Sequence, residues 1–231
     1  MENKKSEWEA SYSNRDNFMF YPHEEVIRFF SRHIRKRNGL DSYLDLVSPI
    51  GDKRVLDLGC GIGRHVVYSH ETGLQAYGID LSEQAVAVAV EWAERRGMAQ
   101  AREQILQGDI RHLPWSDGFF DYAVSHGVLD SMPFAIARMA AVELARVVRK
   151  GGLVYCDLIS GDDIKHPREY AGEEVVTTRH EQGTVQSYFN HSKILELFGG
   201  LFDIDECFLI RREEVLQGSC SSRYHLTLRR T

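Results

Sequence analysis

Val55-Leu56-Asp57-Leu58-Gly59-Cys60-Gly61-Ile62-Gly63-Arg64 is an apolar run that enters a glycine turn and opens a helical stretch. Glycines at such a place let the chain turn tightly and let a ligand approach backbone amides with no Cβ in the way. Their spacing is selective: a dinucleotide fingerprint requires G-x-G-x-x-G, whereas Gly59, Gly61 and Gly63 make G-x-G-x-G with Asp57 two residues upstream. A carboxylate there repels a diphosphate but suits an ammonium or a sulfonium. The phosphate-loop pattern fails too, because no Gly-Lys-Ser/Thr follows.

Outward from this turn the chain alternates. Strand-like 55–58 is followed by helix-like 64–72, then strand-like 76–80 and helix-like 82–96. Further strands are expected near 104–107, 122–125 and 153–159, with a helix through 135–148 that Gly151-Gly152 stops. Such alternation means a mostly parallel sheet with helices on both faces, an α/β Rossmann-like architecture. A polar stretch from Gly161 to Gly183 leads to a helix near 192–198. Two strands near 202–210 and 223–229, with no helical pattern between them, are expected to pair antiparallel. Before the turn, Val26, Phe29, Phe30 and His33 recur at helical spacing within an N-terminal appendage.

The second strand ends Tyr77-Gly78-Ile79-Asp80-Leu81-Ser82, which sets an acid where a ribose diol needs a bidentate acceptor and a serine where the next helix needs an N-cap. Downstream come Gly108-Asp109-Ile110-Arg111-His112-Leu113-Pro114-Trp115, then Phe119-Phe120-Asp121-Tyr122-Ala123-Val124-Ser125-His126, then Arg149-Lys150-Gly151-Gly152.

Bulk properties narrow the class. The 231 residues suffice for one substantial core and are few for two. A net charge of -6 gives no field to attract phosphate backbones and argues against nucleic acid as a partner. Cys60, Cys156, Cys207 and Cys220 form no C-x-x-C pair, so no metal is expected. The polar start Met1-Glu2-Asn3-Lys4-Lys5-Ser6-Glu7 and the lack of a long apolar run predict a cytoplasmic protein with no membrane insertion. Monomer and homodimer both remain open.

The ordered set of glycine turn, acid after strand two, G-D-x-x-x-L-P segment, F-D strand and R-K-G-G turn resembles the class I S-adenosylmethionine-dependent methyltransferases over about 54–159. The resemblance implies seven strands in the order 3-2-1-4-5-7-6 with strand seven antiparallel. It implies S-adenosyl-L-methionine as cofactor and S-adenosyl-L-homocysteine as product. On this reading Gly59, Cys60, Gly61 and Gly63 line the methionine part, and Asp57 orients the loop and the amino group. Asp80 holds the ribose hydroxyls with Leu81 beside it. Asp109 and Ile110 face the adenine, and Ser125 and His126 flank the sulfonium and its methyl. Arg64 either reaches the methionine carboxylate or points to solvent.

In open α/β sheets the ligand lies outside the carboxyl ends of the strands. Two aromatic and polar segments are available to cover it: Tyr12 with 17–25, and the insert 161–190. The region around Tyr21-Pro22-His23 and the 183–189 stretch resemble, more loosely, a bacterial methyltransferase group of surface-polysaccharide and glycan modification. That resemblance implies a sugar or phosphoramidate-type acceptor, with Tyr21 and Tyr188 walling the methyl-transfer site as catalytic candidates. From the residues themselves His126 is a further catalytic candidate as a general base, and Tyr12, Tyr21, Arg179, His180 and Tyr188 are candidate substrate contacts. The bland alternatives are packing aromatics, solvated charges and a structural histidine.

The expected organisation is therefore one domain over 1–231, with a helical lid at 1–50, a cofactor-binding core at 54–160, a substrate lid at 161–190 and a terminal helix and strand pair at 191–231. Its expected partner is a small-molecule acceptor. Three rivals stand beside it: a nucleic-acid methyltransferase, which Ser125-His126-Gly127-Val128 disfavours because it is no N/D-P-P-Y/F box; a non-catalytic cofactor-binding scaffold; and a NAD-dependent oxidoreductase, which the glycine spacing disfavours.

Overall fold

The computed structural model describes residues 4–15, 17–163 and 165–231, so Met1-Glu2-Asn3 of the polar start lie outside the described residues. Strands β1 (Arg54–Leu58), β2 (Gln75–Asp80), β3 (Ile105–Gln107), β4 (Phe120–Ser125), β5 (Val148–Ile159), β6 (Phe202–Glu214) and β7 (Ser219–Arg230) form one sheet. Its order is β3-β2-β1-β4-β5-β7-β6, with β7 antiparallel to both neighbours and the other pairs parallel. The Rossmann-like methyltransferase topology expected above is the one observed.

Both faces are covered, which is why the inner strands read as nearly continuous apolar runs. Leu56, Leu58 and Ala123 pack under the helix Phe134–Val147, whose Ala137, Ala140, Ala141 and Ala145 let it lie close to the sheet. On the opposite face Val55, Val124 and Tyr155 meet α2 (Glu24–His33) and the helices α3 (Arg64–Glu71) and α4 (Glu83–Arg95). Here α2 is no loose appendage. Its Val26, Phe29 and Phe30 are buried in that core.

Several local expectations need correction. A first helix, α1 (Lys5–Ser13), precedes α2 and shows no strong amphipathic stripe, so period gives no sign of it. Arg35–Arg37 and Tyr43–Asp45 pair antiparallel after α2, and Glu173–Val175 pairs with Val185–Ser187 inside the insert; both hairpins are too short to show a period-2 pattern. Gly151-Gly152 does not end the preceding helix, which stops at Val147. The pair instead absorbs an irregularity inside β5: Val148 already faces Phe120, and the register then jumps to Tyr122 opposite Leu153. Strands β6 and β7 extend well beyond 210 and 223 into one long hairpin. Among the described residues, no helix is long and apolar enough to cross a membrane.

Candidate functional site

A cavity of about 520 Å³ opens at the carboxyl edge of β1, β2 and β4. Its floor is the glycine turn. Gly59 and Gly61 have φ of 67° and 53°, a region that side chains with a Cβ avoid. A Cβ on Gly61 would sit 2.7 Å from the Tyr12 hydroxyl, and one on Gly59 would sit 2.6 Å from a Val128 methyl. The turn is therefore closed to side chains on both sides. Gly63 serves differently, as the N-cap of α3 packed against Ala89 of α4.

Asp80 ends β2 at the rim of this turn. One carboxylate oxygen accepts from the Gly61 amide at 2.8 Å and the other from the Ser82 amide at 2.9 Å. A carboxylate has about four lone-pair sites, so each oxygen keeps capacity for a ligand hydroxyl. Burial pushes the Asp80 carboxyl up from an ordinary 3.8 to about 6, against the pull of those two amides. Ser82 caps α4 as expected, accepting from the Ala85 amide at 3.1 Å.

Asp57 lies beneath the turn and does not reach the cavity wall. One of its oxygens stands 3.7 Å from His65 Nδ1, and the other is buried with no hydrogen-bond partner among the described residues. Burial pushes its carboxyl up to about 7, and the nearby Arg64 charge and the Val66 amide hold it from going further. A buried carboxylate oxygen without a donor is costly.

At the other end Ile110 and Asp109 line the cavity. Asp109 is not waiting alone for a ligand. Arg111 donates to it from its backbone amide at 3.0 Å and from its guanidinium at 2.9 and 2.6 Å, which fixes the carboxylate plane.

The two expected covering segments do meet over the cavity. Trp8 and Tyr12 of α1, then Phe18 and Met19, form the outer wall. The helix is latched by Glu9, which accepts from the Ser82 hydroxyl at 2.8 Å and the Glu83 amide at 2.6 Å. An acid supplied from outside to orphan donors at a helix N-terminus serves as cap and dipole partner at once. Lys5 pairs with Glu83 at 2.7 Å, and Asn17 donates to Glu181 of the insert at 2.9 Å.

Below the glycine turn lies a dense polar floor. His126, just after β4, stands with its ring centroid 4.2 Å from His23 and 5.4 Å from His65. Arg64 faces His126 Nδ1 at 2.9 Å and Met19 Sδ at 3.0 Å, and among the described residues no carboxylate pairs with it. Since a guanidinium only donates, Nδ1 is the acceptor and the neutral ring carries its proton on Nε2. That nitrogen lies 3.5 Å from Asp157. Burial holds His126 well below the ordinary histidine range, with Asp157 opposing and His65, Arg64 and His23 reinforcing. Arg223 of β7 binds Asp157 at 2.7 Å and also Asp130.

The structure thus brings Gly59, Cys60, Gly61, Asp80, Leu81, Asp109, Ile110, His126, Tyr12 and His180 to one cavity. Ser125 is fully buried behind His126. It does not bring Tyr21, Tyr188 or Arg179 there. Tyr21 is 74% exposed at the entry to α2. Tyr188 packs inside the insert, with ring centroids 5.0 Å from His166 and 5.3 Å from Tyr170, and Arg179 lies on the exposed rim. Sequence reasoning missed Arg111, His65, Asp130, Asp157 and Arg223. Each acts through a partner far along the chain or through a turn whose residues carry no period.

Residues 56–156 match the family described as a methyltransferase domain. A malonyl-[acyl-carrier protein] O-methyltransferase of Pectobacterium atrosepticum is 31% identical over 122 residues, which are 52% of this chain and 44% of that protein. The chain spans about half the length or less of the first curated relatives it matches. Among solved structures, a SAM-dependent methyltransferase of Methanosarcina mazei aligns with a TM-score of 0.64 at 20% identity, covering 81% of this chain and 99% of that one. The 1,6-didemethyltoxoflavin-N1-methyltransferase of Burkholderia thailandensis, solved with 1,6-didemethyltoxoflavin and S-adenosylhomocysteine, aligns with a TM-score of 0.67 at 16% identity, covering 98% and 87%. These structural likenesses speak for the fold.

Proposed function

We propose, with residues 56–156 as a methyltransferase domain, that this chain binds S-adenosylmethionine and transfers its methyl group to a small-molecule acceptor. The observation that carries the reading is Asp80, which ties the glycine turn to β2 while keeping lone pairs turned to a cavity of about 520 Å³, a size suited to a nucleoside-sized ligand. The residues present fit that cofactor. Asp80 takes the ribose diol, Ile110 covers the adenine, and Asp109, held flat by Arg111, accepts from the exocyclic amine. Gly59 to Gly61 admit the methionine chain, above a buried carboxylate oxygen of Asp57 that lacks a donor. Arg64, with which no carboxylate pairs among the described residues, would face the methionine carboxylate.

The cofactor supplies a methyl group on a sulfonium, open to in-line attack. The protein's part is alignment and exclusion of water. Trp8, Tyr12 and Phe18 close the outer wall, and His126, at the end of β4, would face the reacting methyl. His126 is neutral there, so it adds no charge to repel a sulfonium. Its Nδ1 is occupied by Arg64, which makes it a wall and hydrogen-bonding group rather than a free base.

For the acceptor we favour a hydroxyl-bearing small molecule, of which a sugar precursor is the narrower form. What supports this is the polar lining opposite the glycine turn, where Ser131, Gln186 and His180 face the cavity. Incubation with methyl-labelled S-adenosylmethionine and a panel of sugar phosphates, nucleotide-sugars, carboxylic acids and phenols tests it. Label is expected in a hydroxyl compound. Transfer to carboxylic acids alone removes the sugar reading, and transfer to tRNA in preference to every small molecule removes the small-molecule reading.

A further inference from the structure

Asp130 and Asp157 are the two most buried acids near the cavity, 1% and 0% exposed, and one cation serves both. Arg223 donates through Nε to Asp157 at 2.7 Å and through Nη2 to Asp130. Each carboxylate in turn holds backbone. Asp157 accepts from the Gly127 amide at 2.7 Å, the residue after His126, where φ is 68°. Asp130 accepts from the Ile159 amide at 2.8 Å. The backbone carbonyl of Asp130 also accepts from the Ser187 amide at 2.7 Å and from the Gln186 side chain at 2.9 Å. One guanidinium on β7 thereby fixes the loop after β4, the end of β5 and the root of the insert, while itself lining the cavity.

Removal of that cation has two consequences. The loop bearing His126 and Gly127 loses the charge that anchors its two acids. Two buried carboxylates are then left without a counter-ion, which the interior does not tolerate. Besides the two acids themselves, a group able to take up a proton in response is His126, whose Nε2 lies 3.5 Å from Asp157.

We propose that Arg223 is a positioning residue of the methyl-transfer end: through Asp130 and Asp157 it fixes the loop that carries His126 and, by offsetting the charge of Asp157, helps to keep His126 neutral beside the sulfonium. The sulfonium half rests on the function proposed above; the clamp itself does not. The charged and titratable groups that face His126 are Arg64 and His65 from α3, His23 ahead of α2, Asp157 from β5 and Arg223, through Asp157, from β7. Of these, Asp157 alone favours protonation; burial, His65, Arg64 and His23 oppose it directly, and Arg223 opposes it by pairing with Asp157. A His126 that became charged would repel the cofactor's sulfonium and lose its role as acceptor for Arg64.

The test is an NMR titration of the histidine side chains in the full chain, with His126 assigned by a His126→Gln control. In the wild type His126 is expected to stay neutral across the accessible range. In Arg223→Met its midpoint rises by about one to three pH units, the effect of an uncompensated charge within a few ångströms. Arg223→Gln, which removes the charge but keeps hydrogen-bonding groups, shows the same rise and serves if the methionine variant does not fold, and Arg223→Lys, which keeps the charge but not the fork, reverses most of it. Asp157→Asn on the Arg223→Met background abolishes the rise. A His126 midpoint unmoved in the folded neutral variant, Arg223→Met or Arg223→Gln, overturns the clamp. Binding of S-adenosylhomocysteine is read in parallel: its absence in the wild type sinks the cofactor reading and leaves the His126 result to stand or fall alone. If both hold, Arg223→Met binds S-adenosylmethionine more weakly than the uncharged S-adenosylhomocysteine sulfur, relative to wild type, at pH values where His126 has become charged.

Discussion

Replacement of Asp80 by Asn probes the cofactor site where its chemistry is most specific. The side chain keeps its shape and one carbonyl oxygen. It loses the charge, and its amide NH2 must face either the Gly61 or the Ser82 amide, which stand 2.8 and 2.9 Å from the present carboxylate oxygens. A hydrogen bond to a charged group contributes about 1.5–3 kcal/mol. A ribose diol makes two, and Asn keeps about half of that capacity. The expected loss is therefore about 2 kcal/mol, or about 30-fold in affinity. Calorimetric titration with S-adenosylhomocysteine reads it directly. A thermal melt separates binding from folding: an ionised carboxylate buried to 7% exposure is itself unfavourable, so the unliganded variant is expected to melt close to wild type. Affinity within about threefold of wild type in a protein that melts normally would show that Asp80 does not hold the ribose, since about 0.7 kcal/mol is less than one such bond contributes.

Arg64→Met is expected to weaken S-adenosylhomocysteine about tenfold, the scale of one charge-assisted pair, and to leave 5′-methylthioadenosine, which lacks the carboxylate, unaffected; equal losses for both ligands would place Arg64 elsewhere. The raised carboxyls of Asp80 and Asp57, at about 6 and about 7, predict a pH dependence. A folded value above the unfolded one means that the folded free protein holds extra protons, so this contribution to its stability is full below about pH 4 and declines as pH rises towards 7. A cationic ligand favours the ionised carboxylates, so S-adenosylmethionine should bind about tenfold more weakly at pH 5 than at pH 8, and a flat profile by calorimetry would contradict the assignment. Glu9→Ala removes the external cap on α4, typically about 1 kcal/mol, and should free α1; limited proteolysis around 14–22 is expected to quicken and cofactor affinity to fall a few-fold, whereas an unchanged cleavage rate would mean that Glu9 is no latch.

The parts of this molecule legible from its residues are those with local grammar. The glycine turn, the acid at the end of β2 and the helix cap at Ser82 lie within thirty residues of one another and each obeys a short spacing rule, so the cofactor edge of the sheet can be drawn from them. The strand order follows from the resemblance. What escapes reading is non-local. Arg223 meets Asp157 and Asp130 only because β7 inserts beside β5, and no periodicity announces a cross-strand ion pair. Tyr12 lines the cavity and also closes the glycine turn with its hydroxyl, a contact no spacing announces; the latch through Glu9 to the next helix has no sequence signal at all. The aromatic character that marks Tyr21 and Tyr188 says nothing about direction: one points to solvent, and the other is consumed by packing in the insert.

Calorimetric titration of the purified, folded chain with S-adenosylhomocysteine, run beside NADH, decides whether the glycine turn and Asp80 form the site described. One-to-one binding of S-adenosylhomocysteine in the micromolar range, with no heat from NADH, is the predicted result; silence with S-adenosylhomocysteine, or preference for NADH, would contradict it.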